Sequence, residues 1–160
     1  MNSYTNAENI GRTLFTQTFG EHLFHHSFSE EQYSTTDFHA VFVKPDETAG
    51  DCIGEIKAYR NSKHPRTYYG TGTRKYDDYM IDLAKLMEIT KKSKNQPIYH
   101  HPLLVVFFGD RTVIWDLDKF DWRKDIRLEY ANKNGMNYGE KEWDWFCHIK
   151  KEDAVYDKEV

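Results

Sequence analysis

A glutamate and a lysine stand two residues apart in the segment 51–59, which reads DCIGEIKAY. Residues two apart on a β-strand project from the same face, so Glu55 and Lys57 would lie side by side while Ile56 faces the other way. Asp37 opens the preceding run of β-forming residues, DFHAVFV. If the two segments pair as a hairpin, the three charged groups can converge on one face.

Two carboxylates beside a lysine suit the hydrolysis of a phosphodiester. Carboxylate oxygens can hold Mg²⁺, which keeps several waters and binds phosphate oxygens of a substrate. The metal polarises the phosphate and activates a bound water, while a lysine orients that water or stabilises the developing negative charge. The spacing therefore predicts Asp37 and Glu55 as metal ligands and Lys57 as the activating residue.

A third carboxylate lies on the first predicted helix, over about residues 6–26. Apolar residues recur there at spacings of mostly three to five: Ile10, Leu14, Phe15, Phe19, Leu23 and Phe24. Glu21 lies seven residues after Leu14, on the same stripe. Because burial of an unpaired charge is costly, Glu21 is expected either at the rim of the helix or facing a site that compensates it.

These motifs together resemble the PD-(D/E)XK nuclease superfamily, whose members share an α-β-β-β-α-β core of the restriction-endonuclease-like type. Asp37 in TTDFHAVF is similar to the metal-binding aspartate of that family, and Glu55 and Lys57 in GEIK are similar to its second ligand and catalytic lysine. Glu21 in FGEHLF is similar to the helix glutamate that many members add. The resemblance covers roughly residues 8–117 and implies a DNA nuclease that depends on Mg²⁺ or Mn²⁺.

The chain departs from the family pattern in three places. Thr36 stands where the name of the family has a proline. The second predicted helix has no Gln-x-x-x-Tyr motif, so Tyr79 or Lys85 would have to take that supporting role. Only two strands are predicted around the site, where the family core often has three.

A basic, tyrosine-rich segment follows the Glu55–Lys57 strand. Residues 57–76 contain no aspartate or glutamate. Cationic side chains neutralise phosphates and tyrosines stack on exposed bases, so this segment is predicted to bind nucleic acid beside the metal. The predicted contacts are Arg60, Lys63, Arg66, Tyr69, Arg74 and Lys75.

The remaining elements predict an α/β domain with a mixed sheet flanked by helices, spanning residues 1–160 as one unit. A second helix is expected over about residues 75–93 and a hairpin over 103–117, whose first strand, LLVVFF, is typical of a central strand. Beyond residue 118 the pattern weakens, and the acidic tail from residue 150 is expected to fray.

The composition indicates a folded protein and argues against a membrane-spanning or secreted one. The 160 residues include 11 Tyr, 10 Phe and 4 Trp, enough large apolar side chains to form a core. No apolar run approaches the roughly 20 residues of a membrane span, and the polar start lacks the layout of a signal peptide. The two cysteines, Cys52 and Cys147, form no CxxC pair. We therefore expect a soluble, cytoplasmic protein, and its net charge of −4 leaves local clusters of basic residues to decide its partners.

Simpler interpretations remain open for several of these residues. Glu55 and Lys57 could form an ion pair on the solvent face of a hairpin, and Asp37 could be a turn residue. His22 and His26 are four residues apart on the predicted helix, a spacing that could bind zinc. The four tryptophans, Trp115, Trp122, Trp143 and Trp145, are expected in a core or an interface.

The function has a rival hypothesis from another class of protein. A nuclease-like fold without catalysis would bind nucleic acid or another protein through the basic segment or the aromatic-rich C-terminal part. If the chain is a nuclease that cuts duplex DNA, a homodimer or two binding events would commonly be required.

Overall fold

The computed structural model describes residues 3–29, 37–42, 50–60, 68, 78–132 and 141–160. Over these ranges the chain forms two α-helices and nine strands. The helices are α1 (Ser3–Phe19) and α2 (Leu83–Lys94). The strands are β1 (Leu23–Phe28), β2 (Phe38–Phe42), β3 (Asp51–Ala58), β4 (Tyr79–Asp82), β5 (His101–Phe107), β6 (Arg111–Asp116), β7 (Ile126–Asn132), β8 (Lys141–Ile149) and β9 (Tyr156–Glu159). The expected mixed sheet flanked by helices is confirmed.

The larger sheet has six strands in the order β1-β2-β3-β5-β6-β9. Strands β1, β2 and β3 form an antiparallel meander, and β3 then pairs with β5 in parallel. Strands β6 and β9 continue the sheet in antiparallel pairing. A parallel pair needs a crossover connection, and here the connection includes β4 and α2.

Strand β5 is the centre of the hydrophobic core, as its continuous apolar sequence predicts. Its side chains from Pro102 to Phe107 are all buried. Alternate residues serve opposite faces: Leu104 and Val106 pack in one core cluster, and Leu103 and Val105 pack in the other. Each such fully buried side chain contributes about 2 kcal/mol of transfer free energy.

Helix α1 covers one face of the large sheet. Leu14, Phe15 and Phe19 pack there against Phe38 and other sheet residues. The helix also passes close to β3, because a Cβ added at Gly11 would come within 3.0 Å of the Ile56 side chain. The face of β3 that carries Ile56 is therefore closed by α1, and Glu55 and Lys57 project from the opposite face.

Helix α2 and a three-stranded sheet, ordered β4-β8-β7, cover that opposite face. Leu86 and Ile89 of α2 pack with Ile81 of β4, with Cys147 of β8 and with Trp115 of the large sheet. Glu55 and Lys57 therefore project on the same side of the large sheet as α2 and the three-stranded sheet.

The first predicted helix is too long at its C-terminal end. Helix α1 ends at Phe19, a short 3-10 helix covers Gly20–His22, and residues Leu23–Phe28 form β1. The apolar spacing that predicts a helix through residue 26 includes Leu23, whose backbone instead pairs with Phe42 of β2. Pairing with a neighbouring strand outweighs the local helical pattern.

Two further segments differ from the sequence-based expectation. The second helix begins at Leu83, because Tyr79–Asp82 forms β4 in antiparallel pairing with β8. The part after residue 118 was expected to be less regular, but it contains β7, β8 and β9. The terminal strand is held at the edge of the large sheet by β6, so the prediction of a frayed tail was wrong for residues 156–159.

Among the helices in the part of the chain that the structure describes, we find none with the length and apolar character needed to cross a bilayer.

Candidate functional site

Asp37 lies immediately before β2 and beside β3. Phe38 pairs with Gly54, so the antiparallel register sets Asp37 opposite Glu55. The backbone N–H of Asp37 donates to the Gly54 carbonyl at 2.7 Å, and the backbone N–H of Ile56 donates to Oδ2 of Asp37 at 2.9 Å. The Asp37 carboxylate is thus fixed against the strand that carries the Glu-x-Lys motif.

Glu55 and Lys57 form an ion pair on the face of β3 opposite α1. The Lys57 Nζ lies 3.4 Å from Oε1 of Glu55. The Glu55 side chain is only 9% exposed, whereas the Lys57 side chain is 39% exposed. An exposed ion pair on the solvent face of a hairpin was the simpler interpretation, and the burial of Glu55 contradicts it.

Helix α2 supplies a second lysine to the buried carboxylate. The Lys85 Nζ lies 3.7 Å from Oε2 of Glu55. Oε2 is nevertheless buried with no hydrogen-bond partner among the residues that the structure describes. A buried carboxylate oxygen without a hydrogen bond is costly, and a bound cation is one group that would compensate it.

Burial dominates the electrostatics of Glu55. Removal from water is the largest cause, and together with the neighbouring carboxylate of Asp37 it outweighs the opposing effect of Lys57 and Lys85, so the pKa of Glu55 is raised to about 7. Burial also acts against the charge of Lys57, but the carboxylate of Glu55, together with Tyr59 and Asp37, outweighs it and raises the pKa of that ammonium group. Lys57 is therefore a stable cation beside a carboxylate that titrates near neutral pH.

Asp82 and Asp144 also lie near these charged groups. Neither residue is identified by the sequence analysis. Burial raises the pKa of Asp82, at the end of β4, and Asp144 on β8 raises it further. Lys57 and Lys85 act on Asp82 in the opposite direction, so these charges lie near one another. The sequence carries no local signal for this group, since it depends on pairing between β4 and β8, which are far apart in the chain.

Glu21 does not join this group. It lies in the 3-10 helix before β1, its residue is exposed, and the helix on whose stripe it was predicted ends at Phe19. Leu23 pairs with Phe42, at the opposite end of β2 from Asp37. The prediction of Glu21 as an auxiliary carboxylate is therefore corrected: the length of β2 separates it from the site.

Arg60 is the one predicted nucleic-acid contact that lies within the described ranges. Its Nε donates to the Phe108 carbonyl at 2.9 Å, and its Nη2 donates to Oγ1 of Thr112 at 3.0 Å. Burial lowers the pKa of its guanidinium group. Arg60 therefore ties the end of β3 to the β5–β6 turn. The other predicted contacts lie outside the described residues: Lys63, Arg66, Tyr69, Arg74 and Lys75.

Strands β7 and β8 form a hairpin whose aromatic side chains extend beyond the core. Tyr130 pairs with Trp143, with ring centroids 5.3 Å apart, and Leu128 pairs with Trp145. Trp143 and Trp145 are 66% and 51% exposed, whereas Trp115 and Trp122 are buried. The expectation of a core or interface position is thus confirmed for the latter pair. We call Leu128, Tyr130, Trp143 and Trp145 the aromatic patch.

The helical spacing that would let His22 and His26 bind one zinc ion together is not formed. His22 ends the 3-10 helix and His26 lies in β1, so the two are not one turn apart on a helix. The Nε2 of His26 lies instead 3.3 Å from Oγ1 of Thr16. The two cysteines, Cys52 and Cys147, are both buried and form no disulfide.

Comparisons of the chain with protein-family models, with curated proteins and with solved structures find no match. The resemblance to PD-(D/E)XK nucleases therefore rests on Asp37, Glu55 and Lys57 themselves.

Proposed function

We propose that this protein is a metal-dependent nuclease that hydrolyses phosphodiester bonds of DNA, with Asp37, Glu55 and Lys57 in its active site. The observation that carries the proposal is the buried Glu55 carboxylate. It lies opposite Asp37, pairs with Lys57 at 3.4 Å and keeps one buried oxygen that has no hydrogen-bond partner among the described residues. Carboxylates in this state are suited to ligate a hard divalent cation.

Asp37 and Glu55 are the residues that would hold Mg²⁺ or Mn²⁺. The buried Oε2 of Glu55 fits such an ion, and the hydrogen bond from Ile56 occupies only one oxygen of Asp37. When bound, the ion supplies a Lewis acid for the scissile phosphate and for a water molecule.

Lys57 has the position and charge to act on the reacting groups. Its side chain is partly exposed while its ammonium group contacts Glu55, so it can reach both a phosphate and the carboxylate. In hydrolysis, the water oxygen bonds to phosphorus as the bond to one sugar oxygen breaks, and the leaving oxygen gains a proton as the water loses one. Lys57 orients the water and stabilises the negative charge that grows on the phosphate oxygens. Lys85 holds the Glu55 carboxylate in place from α2.

The order of elements supports a fold of the PD-(D/E)XK type. Helix α1 precedes the meander β1-β2-β3, and α2 precedes β5, which pairs with β3 in parallel. This order includes the third meander strand that the sequence alone did not provide. The short strand β4 is inserted between β3 and α2.

The aromatic patch is suited to stack on the bases of a nucleic acid. Asp144 lies between Trp143 and Trp145 in β8 and acts on the pKa of Asp82, which Lys57 also affects. The hairpin backbone is therefore near the proposed metal ligands, while the rings of Trp143 and Trp145 project from the face of β8 opposite to Asp144. Exposed aromatic rings stack on unpaired bases at about 1–3 kcal/mol each, without sequence preference.

The aromatic patch also favours a second candidate function, a nucleic-acid-binding or protein-interaction module without catalysis. A surface of four exposed large apolar side chains can bind a partner whether or not Glu55 holds a metal. The two candidates differ in whether the phosphodiester is cut.

Incubation of the purified protein with supercoiled plasmid, single-stranded DNA and RNA, in Mg²⁺, Mn²⁺ or EDTA, separates these candidates. We expect cleavage that requires the metal and prefers DNA. Loss of a group that stabilises transition-state charge costs roughly 100-fold or more in rate, so Lys57→Ala should be nearly inactive. Lys91→Ala, which removes an exposed lysine of α2, is the matched control and should cut normally. Binding of nucleic acid by the folded protein, with no cleavage in any metal, would favour the module without catalysis.

A further inference from the structure

A second group of potential metal ligands lies at the other end of the same strands. His39 is on β2, Asp51 begins β3, and His100 immediately precedes β5. Phe38 and Ala40 pack on the α1 side of the sheet, so His39 between them faces the α2 side, as Glu55 does. His39 pairs with Ile53 of β3. Ile53 lies between Asp51 and Glu55 on the same face of that strand, two residues from each.

The three side chains converge on one point. The Nε2 atoms of His39 and His100 are 2.9 Å apart, and the His39 Nε2 is 3.7 Å from Oδ1 of Asp51. One ligand atom from each residue lies within 4.8 Å of the others. Donor atoms about 2.0–2.1 Å from a tetrahedral ion are separated by roughly 3.3 Å, so small side-chain movements would bring all three into range.

The tautomer of His100 favours metal binding. Its Nδ1 lies 2.5 Å from the Ile98 carbonyl oxygen, which can only accept a hydrogen bond. The proton is therefore on Nδ1, and the Nε2 lone pair points to His39. The residue is 8% exposed, so the ring is held in this orientation. A histidine that donates one ring N–H to a backbone carbonyl while its other nitrogen binds an ion is the common arrangement at metal sites.

We propose that His39, Asp51 and His100 bind a zinc-class transition-metal ion. Two imidazole nitrogens and one carboxylate oxygen suit Zn²⁺ or Co²⁺ better than Mg²⁺, which prefers oxygen ligands. Three protein ligands leave a fourth position for water. The ion links β2, β3 and the start of β5, so it stabilises the sheet on which Asp37 and Glu55 lie. This site is separate from the proposed nuclease site and does not depend on it.

The test is titration of the chelator-treated full chain with Co²⁺, followed by visible absorption, and with Zn²⁺, followed by calorimetry. We expect one tight site per chain, with a cobalt spectrum of low coordination number, and a rise in melting temperature with Zn²⁺. Loss of partners that only orient ligands weakens metal binding by about 10–100-fold, so His39→Gln and Asp51→Asn should weaken it at least that much. Both residues are partly exposed, which favours folded variants, and circular dichroism would verify this.

Two controls make the outcome decisive. His26→Gln removes a partly exposed histidine of β1, and Asp37→Asn alters the proposed nuclease site. Both variants should bind Zn²⁺ as the wild type does. Zn²⁺ affinity that is the same in wild type, His39→Gln and Asp51→Asn, or the absence of stoichiometric binding by the folded wild type, would overturn the proposal. In that case the His39–His100 contact is a hydrogen bond alone.

Discussion

Glu55 is the residue on which the proposed chemistry depends. Its carboxylate is removed from water, lies opposite the carboxylate of Asp37 and is balanced by the ammonium groups of Lys57 and Lys85. Without a metal, this balance leaves the pKa of Glu55 at about 7. A divalent cation between Glu55 and Asp37 would favour the charged form of both carboxylates. The burial of Glu55 beside the carboxylate of Asp37 therefore both disfavours its charged form without a metal and suits the pair to bind one.

The raised pKa of Glu55 predicts a pH-dependent stability in EDTA. The folded protein keeps the Glu55 proton up to about pH 7, while the unfolded chain loses it near 4.5. The folded state therefore binds more protons in this window, and its stability falls as the pH rises through it. A shift of this size corresponds to about 3 kcal/mol. Urea unfolding at pH values below and above the window should show that Glu55→Gln gains stability relative to wild type as the pH rises.

Glu88→Gln provides the control for this measurement, since Glu88 is an exposed glutamate of α2. Its stability relative to wild type should change little with pH. A difference between wild type and Glu55→Gln that stays constant across the window would contradict the buried environment described for Glu55.

At the scale of elements, the close approach of β3 and β5 positions the site. Gly54 pairs with Leu103, and a Cβ at this glycine would lie 2.0 Å from the Leu103 carbonyl oxygen. Any side chain at residue 54 would push the two backbones apart. Because Gly54 immediately precedes Glu55 and accepts the hydrogen bond from Asp37, such a displacement would also move the proposed ligands.

We therefore expect Gly54→Ala to destabilise the protein by about 3 kcal/mol or more, the upper part of the range for overpacked positions. Gly20→Ala is the matched control, because its added Cβ would meet only a side-chain methyl of Thr16 at 3.9 Å. Thermal unfolding followed by circular dichroism compares the two variants. Equal melting temperatures would show that β3 and β5 are not as close at Gly54 as described.

Local sequence patterns predict elements well where the pairing is also local. The alternation in residues 37–43 and 51–59 predicts β2 and β3, and the apolar run 103–108 predicts the buried strand β5. The patterns fail where a distant segment decides the outcome. Leu23–Phe28 continues a helical spacing but pairs with β2, and Tyr79–Asp82 pairs with β8, more than sixty residues away.

At the scale of the whole molecule, the C-terminal strand completes the large sheet. Arg111 of β6 is 8% exposed and donates to both carboxylate oxygens of Asp157 at 2.8 and 3.0 Å, and to Glu159 at 3.0 Å. The acidic residues of β9 are thus partners of a buried cation, which is why a tail that reads as charged and irregular forms a strand.

Asp157→Ala would leave the buried Arg111 with fewer acceptors. Hydrogen bonds to charged groups contribute about 1.5–3 kcal/mol, so we expect a loss of about 2 kcal/mol of stability. Lys158→Ala changes an exposed residue of the same strand and should have little effect. Urea unfolding of both variants measures the difference. If Asp157→Ala is as stable as Lys158→Ala, the ion pair does not hold β9 in place.

Only the part of the candidate site formed by neighbouring segments of the chain is predictable from sequence. Asp37 immediately precedes β2, and Glu55 and Lys57 lie on the adjoining strand β3, so their spacing predicts that they converge. Asp82 and Asp144 reach the site through β4 and β8. The His39, Asp51 and His100 group needs the parallel pairing of β3 with β5, and no short motif signals it.

Mn²⁺ binding, followed by the loss of its free-ion electron paramagnetic resonance signal, tests the central claim most directly, because it needs no substrate. The background is His39→Gln, in which the proposed histidine site is disrupted. We expect one Mn²⁺ per chain in this background, and binding at least about tenfold weaker when Asp37→Asn or Glu55→Gln is added. Equal Mn²⁺ binding in all three proteins, each shown to be folded, would contradict the assignment of Asp37 and Glu55 as metal ligands.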